Sequence, residues 1–96
     1  MKFDWDENKA AENIRKHDGV TFKEAETVFD DLNAVEFFDD LHSEAEERFR
    51  RVGLSEKRLL FVVYTIRNKD GKETIRLVSA RKATAEEIEI YNEYNR

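Results

Sequence analysis

The spacing of apolar residues changes several times along this chain, and each change marks an element. Met1 to Trp5 alternates apolar and polar residues and predicts a short strand. Asp6 is placed to cap a helix running through Ala10, Ala11 and Ile14 to about His17, with Glu7 near its positive end. Gly19 breaks that helix. Thr21-Phe22-Lys23-Glu24 is a capping-box sequence: the Thr oxygen takes one orphan N–H, and the Glu reaches back to another. The helix it opens carries Phe22, Ala25, Val28 and Phe29 on one face, and Val20 is placed to staple onto Ala25. Asp30-Asp31-Leu32-Asn33 predicts a turn, Ala34 to Phe38 a strand, and Asp39 to Glu46 an acidic loop. Arg48 to Val52 predicts a strand ended by Gly53. Arg58 to Arg67 is the clearest strand, because Leu59 to Ile66 is nearly all apolar or β-branched, as suits a central strand covered on both faces. Asp70-Gly71 is a hairpin signal, and Thr74 to Ala80 is the returning strand. Thr84-Ala85-Glu86-Glu87 is a second capping box, opening a helix through Ile88 and Tyr91.

This order predicts an α+β fold: a small antiparallel sheet with N-terminal helices and a C-terminal helix packed on it. The length, 96 residues, predicts a single domain over 1–96. Pro is absent and Gly occurs only at 19, 53 and 71, which leaves no linker, low-complexity segment or internal repeat.

Composition narrows the function classes. Charged residues make up 41% of the chain, yet seven Phe, three Tyr and one Trp supply core material, so disorder is not expected. The aromatic residues, Trp5 included, are expected in the core rather than stacked on bases. The absence of Cys excludes disulfides, thiolate metal sites and a Cys nucleophile. The longest apolar run, Leu59 to Tyr64, is far too short for a membrane span. Met1 to Asp6 has no apolar h-region, so a cytoplasmic location is expected.

The net charge of −5 hides an asymmetry. Residues 1–47 carry five Lys or Arg against fifteen Asp or Glu, whereas residues 48–82 carry eleven against three. Arg48, Arg50, Arg51, Arg58, Arg67, Arg76 and Arg81 dominate the basic segment, and arginine is the better bidentate partner for phosphate or carboxylate. The acidic half could simply fold against the basic half. Alternatively, the basic face is a site for a polyanion or a docking partner.

A two-residue Asp70-Gly71 turn pairs Arg67 with Thr74 and Thr65 with Arg76, and residues directly opposite share a face. Arg67 and Arg76 are then diagonal neighbours, with Thr65 and Thr74 completing a polar patch. Two such arginines repel, so a carboxylate or a bound phosphate must offset them. Glu47, Glu73 or an Asp could do this in a purely structural ladder. His17, beside Lys16 at the end of the first helix, complements the helix dipole or serves as a titrating acid or base. His42 has no second His nearby, so no metal site is expected there. Ser79 lacks a Gly-x-Ser-x-Gly frame, and three glycines cannot build a phosphate loop. No helix carries a dense basic stripe, so the chain does not read as a DNA reader.

Several blocks together resemble a known family. They are Phe3-x-Trp5-Asp6-x-x-Lys9-x-x-x-Asn13-x-x-Lys16-His17, Val20-x-Phe22-x-x-Ala25-x-x-Val28-Phe29-Asp30, and His42-Ser43-Glu44 with Glu47-Arg48 and Gly53. Leu60 to Thr65, Arg67, Ile75-Arg76, Ser79-Ala80-Arg81-x-Ala83, Glu87 and Tyr91 complete the set. The chain resembles the BrnT toxins of bacterial type II toxin–antitoxin systems over nearly its whole length. Where the family pattern reads Lys-His-Gly-Val, this chain has Lys16-His17-Asp18-Gly19-Val20.

The resemblance implies a RelE-like fold, a ribonuclease that blocks translation, and a co-encoded BrnA-type antitoxin. That antitoxin would be a ribbon-helix-helix DNA binder, so DNA is met only through it. Metal-free RNA cleavage uses the 2′-OH against the adjacent phosphorus, and needs a base, an acid and cations for the developing charge. On this view Arg67, Arg76 and Arg81 hold the phosphate, and Lys16 or His17 transfers the proton. Glu47 orients Arg48 or serves as base. No cofactor is implied. The rival expectation is a non-catalytic binding module, or a degenerate toxin acting as an antitoxin-bound co-repressor.

Overall fold

A computed structural model describes residues 1–40 and 46–96. The described residues form, in order, β1 (Lys2–Asp4), α1 (Glu7–Lys16), α2 (Phe22–Thr27), β2 (Val35–Phe38), β3 (Arg48–Leu54), β4 (Leu59–Lys69), β5 (Lys72–Lys82) and α3 (Ala85–Tyr94). This is the α+β order expected from the pattern. His42 and most of the acidic 39–46 stretch lie outside the described residues. Among the described residues, no helix is long and apolar enough to cross a membrane.

The strands form one sheet in the order β1-β5-β4-β3-β2. It is mixed rather than antiparallel: β1 runs parallel to β5, with Phe3 opposite Ile75 and Asp4 opposite Arg76. A parallel pair needs a long connection, and α1, α2 and the strands β2 to β4 all lie between β1 and β5 in sequence. The clearest predicted strand, β4, sits between β5 and β3.

The caps explain the helices. Asp6 accepts from the Asn8 and Lys9 amides, opening α1. Asp18 and Gly19 then both take left-handed conformations, φ +51° and +74°. The extra Asp18 is thus absorbed in the turn after the helix, where the Gly19 amide donates to Ile14 O (3.0 Å). Thr84 and Glu87 form the full reciprocal box at α3. The box at α2 is only half made. Thr21 accepts from the Glu24 amide, but the Glu24 carboxylate is used elsewhere. α2 is also short, tightening into one 3₁₀ turn over Val28–Asp30.

Glu24 is 2% exposed and is held by a buried network. Arg58 Nε and Nη2 donate to its two oxygens at 3.1 and 3.0 Å, and Ser55 Oγ donates at 2.7 Å. Burial alone would raise this carboxyl, but the bonds from Arg58 and Ser55 outweigh it and hold it below the usual carboxylate range. A depressed carboxyl stabilises the fold above the unfolded-chain range, and that contribution is lost as pH falls through the folded-state value. Glu24→Gln is therefore expected to cost about 2 kcal/mol at pH 7, and urea melts should show the gap to wild type closing only as pH falls below the ordinary carboxylate range. A gap that stays constant with pH would remove Glu24 as the responsible group.

The main core lies between α1, α2 and one sheet face. Val20, Phe22, Ala25 and Val28 pack on Leu60, Val62, Tyr64, Ile75, Leu77 and Ala80. Aromatic edges close it, with Phe29 at 4.9 Å from Tyr64 and Trp5 at 5.8 Å from Phe22. Gly53 does not end β3. It lies inside the strand, at a close approach that only glycine allows: a Cβ there would sit 2.7 Å from Val28 Cγ1 and 2.9 Å from Ala34 Cβ.

α3 covers part of the opposite face. By register, Val35, Val52, Phe61 and Arg81 share that face, and Glu87 of α3 grips Arg81 there. Tyr91 extends the docking by donating to Asp31 Oδ2 at 2.8 Å. The rest of this face carries the candidate site.

Candidate nucleic-acid interface

The hairpin has the register that Asp70-Gly71 predicts. Both turn residues have positive φ, +53° and +76°, as a type I′ turn requires. Arg67 faces Thr74 and Thr65 faces Arg76. On the other side of β4, Thr65 faces Arg48 and Val63 faces Arg50. Arg48, Arg50, Arg67 and Arg76 therefore share the face that α3 leaves uncovered, around Thr65.

A β-bulge extends the site along β5. Tyr64 pairs with Leu77 but Val63 pairs with Ser79, so Val78 is the extra residue. Strict alternation would put Ser79 and Arg81 on the core face with Leu77. The bulge moves both to the face of Arg76 and leaves Ala80 fully buried. Ser79 also lines a cleft of about 220 Å³ with Lys9, Glu12, Asn13, Lys16, His17 and Val78. The cleft places Lys16 and His17 with Val78 and Ser79 at the β5 edge, and none of Arg48, Arg50, Arg67 and Arg76 lines it. The α1 end that carries them is tied down by Asn13, whose Nδ2 donates to Val20 O and Ala80 O, while Ala80 N donates to its Oδ1. Lys16 Nζ reaches Glu12 at 2.6 Å, and that contact holds the Glu12 carboxyl low.

Carboxylates of the acidic half offset two of the arginines. Arg67 Nε and Nη2 donate to Glu46 at 3.2 Å each, and Arg76 Nη1 donates to Asp4 at 3.3 Å. The hydrogen bond from Arg67, with the nearby charges of Arg67, Arg48 and Arg76, lowers the Glu46 carboxyl. Glu46, the neighbour of Glu47, is thus the carboxylate that Arg67 grips on this face; Glu47 is exposed and precedes Arg48 in the chain. Nothing in the sequence separates two adjacent glutamates; their placement before β3 does. Thr65 is 1% exposed, and its Oγ1 has no hydrogen-bond partner among the described residues.

Arg81 stands apart in chemistry, although it shares the face. Its Nη1 and Nη2 donate to Glu87 at 2.8 and 2.9 Å, and its guanidinium lies 4.1 Å from the Phe61 ring centroid. Both ends of its fork are occupied, and it fastens α3. Arg51 is on the opposite face, over Phe29 at 4.6 Å and bound to Glu36.

The sheet face offers several guanidinium groups and a buried hydroxyl that is unbonded among the described residues, with a Lys and a His in the cleft at the β5 edge. That set suits an anion with several oxygens, such as a phosphodiester. No curated protein sequence matches the chain. A family model does: that of BrnT, the ribonuclease toxin of type II toxin-antitoxin systems, over residues 5–87, so the chain belongs to this family.

Proposed function

We propose that this chain is an endoribonuclease that cuts RNA by attack of the 2′-OH on the adjacent phosphorus, without a metal ion. The carrying observation is the cluster of Arg48, Arg50, Arg67 and Arg76 on one sheet face around the Thr65 hydroxyl, which is unbonded among the described residues. Arg67 and Arg76 hold the scissile phosphate and stabilise the charge that builds on its oxygens. Lys16 or His17, at the neighbouring edge, transfers the proton between the 2′-OH and the leaving 5′-oxygen. Glu47 orients Arg48 or takes the hydroxyl proton. Arg81 joins the phosphate only by leaving Glu87.

The family implies an antitoxin partner. In this reading the partner is a BrnA-type protein that covers the arginine face, translation stops when it is lost, and DNA is reached only through it. The protein would work in the cytoplasm. A second reading, a binding module that acts as co-repressor without cutting, draws on the ion pairs of Arg67 and Arg76 with carboxylates.

The test uses the purified chain, freed of partner, with EDTA present. Total RNA should give fragments ending in 2′,3′-cyclic phosphate, and matched single-stranded DNA should stay whole because it lacks the nucleophile. Intact RNA from a folded sample, with and without ribosomes, would turn the assignment to the binding module.

A further inference from the structure

Two carboxylates sit where a phosphodiester would have to sit. Glu46 presents two oxygens to the Nε and Nη2 of Arg67, the side-on geometry in which a guanidinium also grips a phosphate. Asp4 presents one oxygen to Arg76 from the neighbouring strand β1. Neither pair is built for permanence. The Arg67 and Glu46 side chains are 37% and 44% exposed, and those of Arg76 and Asp4 are 28% and 36% exposed. Open pairs of this kind hold weakly and exchange readily. By contrast, the Arg58–Glu24 pair is buried on the carboxylate side and carries three donors, as a structural pair should.

Beneath the two open pairs lies Thr65, buried and with its hydroxyl unbonded among the described residues. A buried hydroxyl without a partner is costly. It gains one if the arginine side chains above it shift toward an incoming oxygen-rich anion.

We propose that Glu46 and Asp4 are internal stand-ins for RNA phosphates: they hold Arg67 and Arg76 while the face is empty and give them up when RNA binds. This rests on the RNA-cleaving reading of the same face and adds self-masking to it. The masking keeps several arginines from repelling one another in the free protein. It also lowers the affinity for any polyanion, so only a ligand that engages several arginines at once displaces both carboxylates.

The test measures binding apart from cleavage. A 2′-O-methyl RNA 12-mer cannot be cut by 2′-OH attack, and its Kd is read for wild type, Glu46→Gln and Asp4→Asn, with far-UV circular dichroism confirming the fold. Each variant should bind about two- to fivefold tighter, and the double variant about five- to twentyfold. A parallel titration with pyrophosphate follows the Arg67 and Arg76 Nε resonances, which should move at lower concentration in the variants. Weaker or unchanged binding in both assays overturns the proposal and makes Glu46 and Asp4 positioning groups. No binding of either probe by any form overturns it as well. A response to pyrophosphate without oligonucleotide binding keeps the masking and removes the RNA reading.

Discussion

Arg76→Ala will lower RNA cleavage by about 10²- to 10³-fold and leave the fold intact. Arg76 sits mid-face on β5, opposite Thr65 on one side and Asp4 on the other. A preorganised cation aimed at developing phosphorane charge contributes on this scale, because removing one such donor costs that much in rate. Its ion pair with Asp4 is partly exposed, so its loss costs at most about 1 kcal/mol of stability. Adding Arg67→Ala should bring cleavage to background. Arg81→Ala should behave differently. It cuts the bidentate hold on Glu87 and the stack on Phe61, so α3 loosens and stability drops by about 1–2 kcal/mol. Initial rates on a fluorogenic RNA, run beside thermal melts, separate the two behaviours. A folded Arg76→Ala protein with full activity would end the assignment of this face as the reaction centre.

Asn13→Ala will be among the most destabilising substitutions of a buried polar side chain, at about 3 kcal/mol, or a fall in Tm of roughly 12–24 °C for a chain this size. β1 pairs with β5 only as far as Arg76, so beyond that point β5 has no strand on that side among the described residues. Asn13 replaces the missing strand. Its amide serves both the N–H and the C=O of Ala80, at 3.0 and 2.8 Å, and the C=O of Val20 at 3.0 Å. Alanine leaves all three backbone groups without their partner in a buried place. Asn13→Asp keeps the acceptor for Ala80 N–H but sets a carboxylate against two carbonyls, so it should not rescue. Thermal and urea unfolding of both variants decides this. Near-wild-type stability of Asn13→Ala would mean that water fills the edge at little cost. The same loss should loosen Lys16, which ends α1, and His17, which caps it, and so reduce activity in the folded fraction.

Much of this architecture is legible in the chain itself. The capping residues Asp6, Thr21 and Thr84, the Asp70-Gly71 turn and the apolar run of β4 each act through local geometry, so they place helices and the hairpin without reference to the rest. Because residues opposite in a hairpin share a face, the turn also brings Arg67, Arg76, Thr65 and Thr74 together. Family membership is legible in the chain as well, since the family model matches residues 5–87.

Other features depend on contacts between distant segments. β1 joins parallel to β5, and Asp4 thereby meets Arg76 across 72 positions. Glu46 rather than Glu47 reaches Arg67 because of where the chain enters β3. Glu24 leaves its helix cap because Ser55 and Arg58, brought in by the sheet, satisfy it better in a buried site. Gly53 is a place of close approach to Val28 and Ala34, although in the sequence it looks like a strand end. The bulge at Val78 matters most for the site. Period-two alternation assigns Ser79 and Arg81 to the core face. The folded sheet instead buries Ala80 against Asn13, inserts one residue, and turns both side chains outward beside Arg76. Local chemistry thus determined the elements and the hairpin's arginine pair. Burial and backbone hydrogen bonding between α1 and β5 decided which further groups stand with that pair, because only the packed state has an edge of β5 to satisfy.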